Sequence, residues 1–303
     1  MITIGVDIGG TNLRIGCVDK NSNLSNFVQV AQQTVLTGDS PANLARFIMD
    51  YIQEYGVADS VAGICAGFPA PIDKSRTVVL NAPNISGFNG VNVISILKKY
   101  FDVPVFIEKD TNLLLTYDII RYDLPGDDTI VACYIGTGFG NAILIEGKLL
   151  IGHNGSAGEL GHVPAWDCEH ECSCGSTGCV EHLAAGKYLA RIRNEYYPDT
   201  DISMLFAEHG SDDLLIEYIK HLAIPIVTEV NIIDPSTLIL GGGVLSMPMF
   251  PREKLIESIK HYVRTSLAEE KLKFIFSESD QESGVIGAGI YTFKQLEIAN
   301  SIY

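Results

Sequence analysis

One pattern occurs twice in this chain and narrows the folds open to it: an apolar run, a turn bearing glycine and threonine, and a second apolar run. It appears first at residues 2–8 and 13–18, joined by Gly9-Gly10-Thr11-Asn12. It returns at 129–135 and 141–146, joined by Gly136-Thr137-Gly138-Phe139-Gly140. Short runs rich in Val and Ile read as strands, and a brief glycine connection between two of them reads as a hairpin. Helical spacing follows each hairpin: at 41–55, 91–100 and 111–122 after the first, and at 186–196, 214–233 and 252–269 after the second. Ser40 is expected as the cap of the first of these helices, with Pro41 at its first position. Further strands are expected at 61–67, 104–108 and 237–240, and a closing helix at 285–299. This order predicts an α/β chain of two related halves, each opening with a hairpin whose turn can hold phosphate. Two unrelated glycine-rich hairpins in one α/β chain are the alternative.

Charge removes several function classes. Acidic residues number 37 against 21 basic ones, a formal net charge of −16. A nucleic-acid binder needs clustered Lys and Arg for phosphate contacts, so that class is disfavoured. Residues 129–145 carry no charge, but Gly136, Gly138 and Gly140 interrupt them and they are too few to span a bilayer. Met1 leads straight into the strand-like Ile2-Thr3-Ile4, which reads as no signal peptide and points to a cytoplasmic protein without a membrane partner. On so acidic a chain, anions must be met by local devices such as glycine loops, helix N-termini and Mg²⁺.

Three glycine segments supply such devices. Asp7-Ile8-Gly9-Gly10-Thr11 follows a strand directly. Its glycines let backbone amides approach phosphate oxygens, and the Thr11 hydroxyl adds a donor. Asp7 is then a candidate for holding Mg²⁺, since a bare carboxylate there would repel phosphate. An ordinary type I′ hairpin turn is the competing reading. Gly136, Thr137 and Gly138 are ambiguous in the same way. Gly241-Gly242-Gly243, after Leu238-Ile239-Leu240, would let a base or ribose lie against bare backbone. Three such segments, each at a strand end, point together to nucleotide binding.

Four of the seven cysteines, Cys168, Cys172, Cys174 and Cys179, crowd into 12 residues, whereas Cys17, Cys65 and Cys133 sit in apolar runs. In a reducing compartment such crowding suggests a metal before a disulfide. His162, ten residues before Cys172, completes one imidazole and three thiolates, a set suited to tetrahedral Zn²⁺. Gly175 and Gly178 let the loop fold round the ion. All four ligands would be protein atoms, so the site is read as structural, with Cys168 as a competing ligand.

Acid–base candidates follow from position. Asp110 stands between the strand at 104–108 and the helix at 111–122, where strand ends face a cleft. A helix N-cap is its bland role. Glu159, in Gly158-Glu159-Leu160-Gly161-His162, can accept two vicinal sugar hydroxyls, and a metal-bound His162 keeps its other N–H for substrate. Glu181, two residues after Cys179, would be aimed by the same ion. Solvated surface acids are the alternative for both glutamates, and His153, His170 and His182 show no partner pattern.

These segments resemble the ROK family of bacterial sugar kinases over nearly the whole chain. Asp7 to Thr11 is similar to the family's first phosphate loop and 136–140 to its second. Gly158 to His162, with Cys172, Cys174 and Cys179, is similar to its zinc and sugar signature. The resemblance implies the hexokinase/Hsp70/actin-like ATPase fold: two α/β domains, built from duplicated hairpin-led modules, with the active-site cleft between them. Residues 1–115 would form a smaller N-terminal domain with the first phosphate loop, the sugar cleft and the base, joined by a C-terminal helix at 286–303. Residues 116–285 would form a larger domain with the second phosphate loop, the zinc loop and the adenosine site. By the same resemblance Asp110 is the catalytic base, and Glu159, His162 and Glu181 bind sugar hydroxyls. Gly67 and Asn84 line the sugar cleft, and Gly241 and Gly242 pack on adenosine. ATP, catalytic Mg²⁺ and structural Zn²⁺ are the implied cofactors, a hexose the acceptor at its C6 hydroxyl, and a homodimer the assembly.

One residue departs from the pattern. Family members carry Asn just before the catalytic Asp, as a sugar ligand, and here Lys109 stands in its place. That lysine, Phe68-Pro69-Ala70 and the stretch 243–253 are similar to the branch of the family that phosphorylates D-allose. Lys109 is thus expected to bear on the sugar, unless it points to solvent or pairs with Asp110. Glucose, fructose or N-acetylmannosamine kinases of the same family are rivals. A sugar-responsive repressor is disfavoured, because the first phosphate-loop strand begins at Ile2, ahead of which a DNA-binding segment would be needed.

Overall fold

The computed structural model describes residues 1–264, 271–278 and 280–301. They form two compact units of similar size, one of Met1–Leu124, Ile151–Ala157 and the described residues from 280 on, the other of Pro125–Leu150 and the described residues of Gly158–Glu278.

In the first unit, β1 (Ile2–Ile8), β2 (Asn12–Asp19) and β3 (Leu24–Ala31) form an antiparallel meander. A four-residue turn of helix, α1 (Gln32–Val35), and the amphipathic α2 (Ser40–Glu54) follow. Then come β4 (Val61–Phe68), the two-residue strands β5 (Val78–Val79) and β6 (Val91–Asn92), α3 (Val93–Leu97), β7 (Val105–Lys109) and α4 (Asp110–Arg121). The main sheet runs β3-β2-β1-β4-β7, with β4 parallel to both β1 and β7. Ile4, Val6, Ile8, Ile15, Leu44, Ile48 and Ile64 fill its core with no exposed surface.

The second unit repeats the plan. β8 (Ile130–Ile135), β9 (Phe139–Ile145) and β10 (Lys148–Leu149) are antiparallel neighbours. α5 (Gly186–Tyr196), α6 (Leu205–His209) and α7 (Asp213–Ile233) precede β11 (Thr237–Gly241), and α8 (Arg252–Tyr262) precedes β12 (Lys273–Phe276). The order is β10-β9-β8-β11-β12, with β11 parallel to β8 and β12. Strand for strand this is the sequence of the first sheet, so the duplication expected from the hairpins extends to whole modules. Among the described residues, no helix is long and apolar enough to cross a membrane.

The C-terminal helix α9 (Ser283–Ser301) returns to the first unit and packs on β1, β2, β4 and α4. Bare glycines make that approach possible. A Cβ on Gly5 would lie 2.0 Å from the carbonyl oxygen of Val285, and one on Gly287 would lie 2.1 Å from that of Leu113. In an ordinary helix interior, Gly→Ala stabilises by about 0.5–1 kcal/mol. At Gly287 the sign is expected to reverse: Gly287→Ala should lower the unfolding free energy by about 2–3 kcal/mol, read as a lower urea midpoint at unchanged slope.

Several expected boundaries move, each for a local reason. β3 carries a half-exposed, irregular pattern and gave no period to read. Asp39, not Ser40, caps α2 by accepting from the Ala42 amide, while Ser40 is buried in the first turn. The single helix expected at 91–100 is split, because Val91 and Asn92 pair with β5 and the Asn92 side chain then caps α3. The helix expected at 252–269 ends at Tyr262, where Val263 turns extended; residues 265–269 lie outside the described residues. The first unit closes at Leu124 rather than 115, since α4 runs on to Arg121 against α9, and it is not the smaller of the two. It also takes in Ile151–Ala157, where Gly155 (φ +90°) lies so close to the 72–74 segment that a Cβ would be 2.1 Å from the Ile72 oxygen. Of the closing helix expected at 286–303, residues 302 and 303 are not described.

Candidate active site

Register places two of the first unit's candidates, Asp7 and Gly67, in one row with Glu108. Asp7 at the end of β1 pairs with Gly67 on β4, and Gly67 pairs with Glu108 on β7. All three strands run parallel, so their C-terminal ends share one edge, where ligands of α/β sheets are bound. Asp110 follows at the first residue of α4, half-buried, its Oδ1 accepting from the Thr111 amide at 2.7 Å. It therefore fills its expected capping role in part, although Lys109 is the N-cap residue by backbone geometry. A Cβ on Gly67 would meet Leu113 Cδ1 at 2.8 Å and lie 3.8 Å from Asp110 Cα, so bare backbone is what lets β4 pass so close to the α4 start. Asn84 is exposed in the turn-rich stretch between β5 and β6.

The turn from β1 to β2 is not type I′: neither Gly9 nor Gly10 has a positive φ. Gly9 N–H donates to the Asn12 oxygen at 2.8 Å, and the Thr11 carbonyl accepts from Gln32. Among the described residues nothing lies within 4 Å of a Cβ built on Gly10, so its backbone faces open space. Asp7 Oδ2 accepts from Arg14 Nη1 at 2.9 Å. Burial nonetheless pushes its carboxyl above the ordinary range, which the Arg14 charge offsets only in part.

In the second unit the matching turn behaves alike. Gly136 and Gly138 avoid positive φ, and Gly136 is open while a Cβ on Gly138 would lie 2.9 Å from Glu181 Oε2. The first amides of α5, Gly186 and Lys187, donate to the Gly136 and Thr137 oxygens at 2.8 and 3.0 Å, fixing this turn to a helix start. Gly241 and Gly242 have close protein neighbours: Tyr134 and Ser277 for the first, Ile135 for the second, which also needs φ +96°. Gly243 is the open glycine of the three.

The cysteine loop closes on itself. His162, Cys172, Cys174 and Cys179 bring four ligand atoms within 4.8 Å of one another. Cys172 Sγ lies 3.6 Å from His162 Nδ1, and the Cys174 and Cys179 sulfurs are 3.6 Å apart. Bonds of about 2.0–2.3 Å in a tetrahedron set ligands roughly 3.3–3.8 Å apart, so these residues fit Zn²⁺. Gly175 (φ +94°) and Gly178 (φ +77°) provide the left-handed turns the loop needs. Cys168 is not one of the four, although its carbonyl oxygen would be 2.4 Å from a Cβ on Gly178. Burial and the neighbouring thiols push the Cys179 thiol up to about 12, a tendency a divalent ion reverses by binding thiolate.

Around that loop stand the sugar candidates. Glu159 Oε2 is 3.8 Å from His162 Nε2, and Glu181 Oε1 is 3.8 Å from His162 Nδ1. Glu181 is buried rather than a surface acid, and it pairs with Lys187. Burial raises its carboxyl most, but Lys187, the Cys172 thiol and His162 together hold it below the ordinary value. Lys109 does not point to solvent either: it is 6% exposed, with Nζ 3.5 Å from the Ala157 oxygen. Reasoning from sequence passed over Lys187, Arg14, Arg76 and Glu108. A charged residue inside the apolar run 105–109 was the one available signal, pointing to Glu108.

Comparison with known proteins places the whole chain in a family. The sequence pattern of the ROK family matches residues 3–295. A glucokinase of Thermotoga maritima is 27% identical, over 94% of this chain and 95% of its own. A ROK hexokinase of Thermus thermophilus superposes with a TM-score of 0.80 at 27% identity, covering 98% of this chain and 99% of its own. A ROK family glucokinase of Streptomyces griseus, solved with glucose and AMPPNP, gives 0.77 at 25% identity over 95% and 98%.

Proposed function

The chain belongs to the ROK family and is an ATP-dependent sugar kinase; from that premise we propose that it phosphorylates a hexose at the C6 hydroxyl, with D-allose preferred. The observation that carries the mechanism is Asp110, set at the start of α4 on the same strand edge as Asp7 and Gly67. The Asp110 carboxylate takes the C6 hydroxyl proton as that oxygen bonds to the γ-phosphorus and ADP leaves. Backbone amides at Gly9, Gly10 and Thr11, and at Gly136, Thr137 and Gly138, bind phosphate oxygens, and the 241–243 segment meets adenosine. Mg²⁺, held near Asp7, would neutralise phosphate charge. Zn²⁺ on His162, Cys172, Cys174 and Cys179 would order the loop carrying Glu159 and Glu181, whose carboxylates accept sugar hydroxyls. The dimer implied by the family and a cytoplasmic setting belong to the same reading.

Allose differs from glucose by inversion at C3, so the choice falls to groups touching that edge. Lys109 replaces an amide that donates and accepts by an ammonium that only donates. Its burial against Ala157 rules out a role as a loose surface charge. A hydroxyl that loses its acceptor costs on the order of 1–3 kcal/mol, roughly 10- to 100-fold in selectivity. Initial rates on allose, glucose, mannose, fructose and N-acetylmannosamine, compared as kcat/KM, are expected to rank allose first. Lys109→Asn is expected to shift preference toward glucose by about 10-fold or more. Glucose outranking allose in the unmodified enzyme would defeat the allose assignment and leave the kinase standing.

A further inference from the structure

We propose that Arg76 and Glu108 form a positioning pair that sets the placement of Asp110, an inference resting on Asp110 being the base. Glu108 is wholly buried two residues before it. Its Oε1 accepts from three donors: Arg76 Nη2 at 2.8 Å, the Lys109 amide at 2.8 Å and Asn112 Nδ2 at 2.9 Å. The last two bracket Asp110, one from the residue before it and one from two residues after. A single carboxylate oxygen therefore fixes the turn from β7 into α4 on both sides of the base.

Arg76 is itself held in place. Its backbone sits at φ +55°, uncommon for a residue with a side chain. The turn is secured by the Asp73 carbonyl, which accepts from the Arg76 amide at 2.9 Å, and by Asp73 Oδ1, which accepts from the Thr77 and Val78 amides at 2.8 and 2.7 Å. Nη1 donates to the Ile72 oxygen at 3.0 Å and the Gly155 oxygen at 3.2 Å. The pair thus joins the 72–78 turn, the end of β7, the start of α4 and the 151–157 segment, from which the chain runs on into Gly158 and Glu159.

Stability alone is a poor reason for such a pair. Buried ion pairs can often be replaced by apolar residues without loss, because desolvation offsets the attraction. Here Arg76 Nε is buried with no hydrogen-bond partner among the described residues, which raises that cost. Geometry is the better reason, since a base displaced by about 1 Å can lose roughly 100-fold in rate.

The test compares Arg76→Met, Arg76→Lys and the double variant Arg76→Met/Glu108→Gln with Asp110→Asn, using rates well below the melting temperature and corrected for folded fraction. Arg76→Met is expected to lower kcat by about 30-fold or more, with KM for sugar and ATP within about 3-fold, and Arg76→Lys to recover most of it. The double variant leaves no unpaired charge, so it should melt near the parent yet keep a kcat deficit of about 10-fold or more. It carries the test if the single variants fail to fold. Parental kcat in the double variant, or a deficit that the unfolded fraction accounts for, would overturn the proposal while Asp110→Asn stays inactive. Parental turnover in Asp110→Asn would remove the base assignment, and this proposal with it.

Discussion

Asp110→Asn is expected to cut turnover by about 10²-fold or more while sugar binding is largely retained. Asparagine keeps the shape of the side chain, and its amide oxygen can still accept from the Thr111 amide, which Asp110 Oδ1 now does at 2.7 Å. The helix start should therefore survive, and the melting temperature should move little. What is lost is the ability to take a proton from the attacking hydroxyl. Steady-state rates, with sugar binding followed by calorimetry, separate the two roles. If the purified variant turns over like the parent, Asp110 serves α4 alone and the base lies elsewhere.

Loss of the zinc site should have the second large effect. Elemental analysis of the purified protein is expected to find about one zinc per chain. Cys179→Ser should abolish it, lower the melting temperature by about 10 °C, and reduce activity by about 100-fold. Structural zinc contributes on the order of 10 kcal/mol to the folding of small domains at neutral pH. Only part of that should reach the global transition, because the loop can open locally. Activity is expected to suffer because Glu159 and Glu181 flank His162, one of the four candidate ligands, at 3.8 Å. Cys168→Ser, outside the four ligands, should keep both metal and rate. Full activity in strong chelator, with no metal found, would show that the four side chains cluster for another reason.

Much of this was legible because the informative signals are local. Hairpin strands announce themselves by apolar runs and glycine turns, and four side chains that could hold a metal, crowded into 18 residues from His162 to Cys179, need no tertiary knowledge to be noticed. The place of Asp110 between a strand and a helix was legible, and the structure sets it at the first residue of α4; its role as base came from the family resemblance and rests on the experiment above. What stayed hidden depends on partners far along the chain. Arg76 reaches Glu108 across 32 positions, and α9 fixes the boundary of the first unit from more than 150 residues away. The caps of α2 and α3 were missed because Asp39 and Asn92 compete with equally good neighbours, and geometry alone decides among them. A solvated surface acid stayed open as the alternative for Glu181, because burial cannot be read from one charged letter.

The return of α9 to the first sheet has a consequence for how the protein is made. Met1–Leu124 emerges from the ribosome with the sheet surface around Gly5 still uncovered, because Val285 and Gly287 follow roughly 160 residues later. At about 5–20 residues per second that delay lasts on the order of 10–30 s. Meanwhile the second unit, nearly continuous in sequence, can complete its own sheet. The half synthesised first is thus the half finished last. During that interval its apolar strands stand open to chaperones and to neighbouring nascent chains.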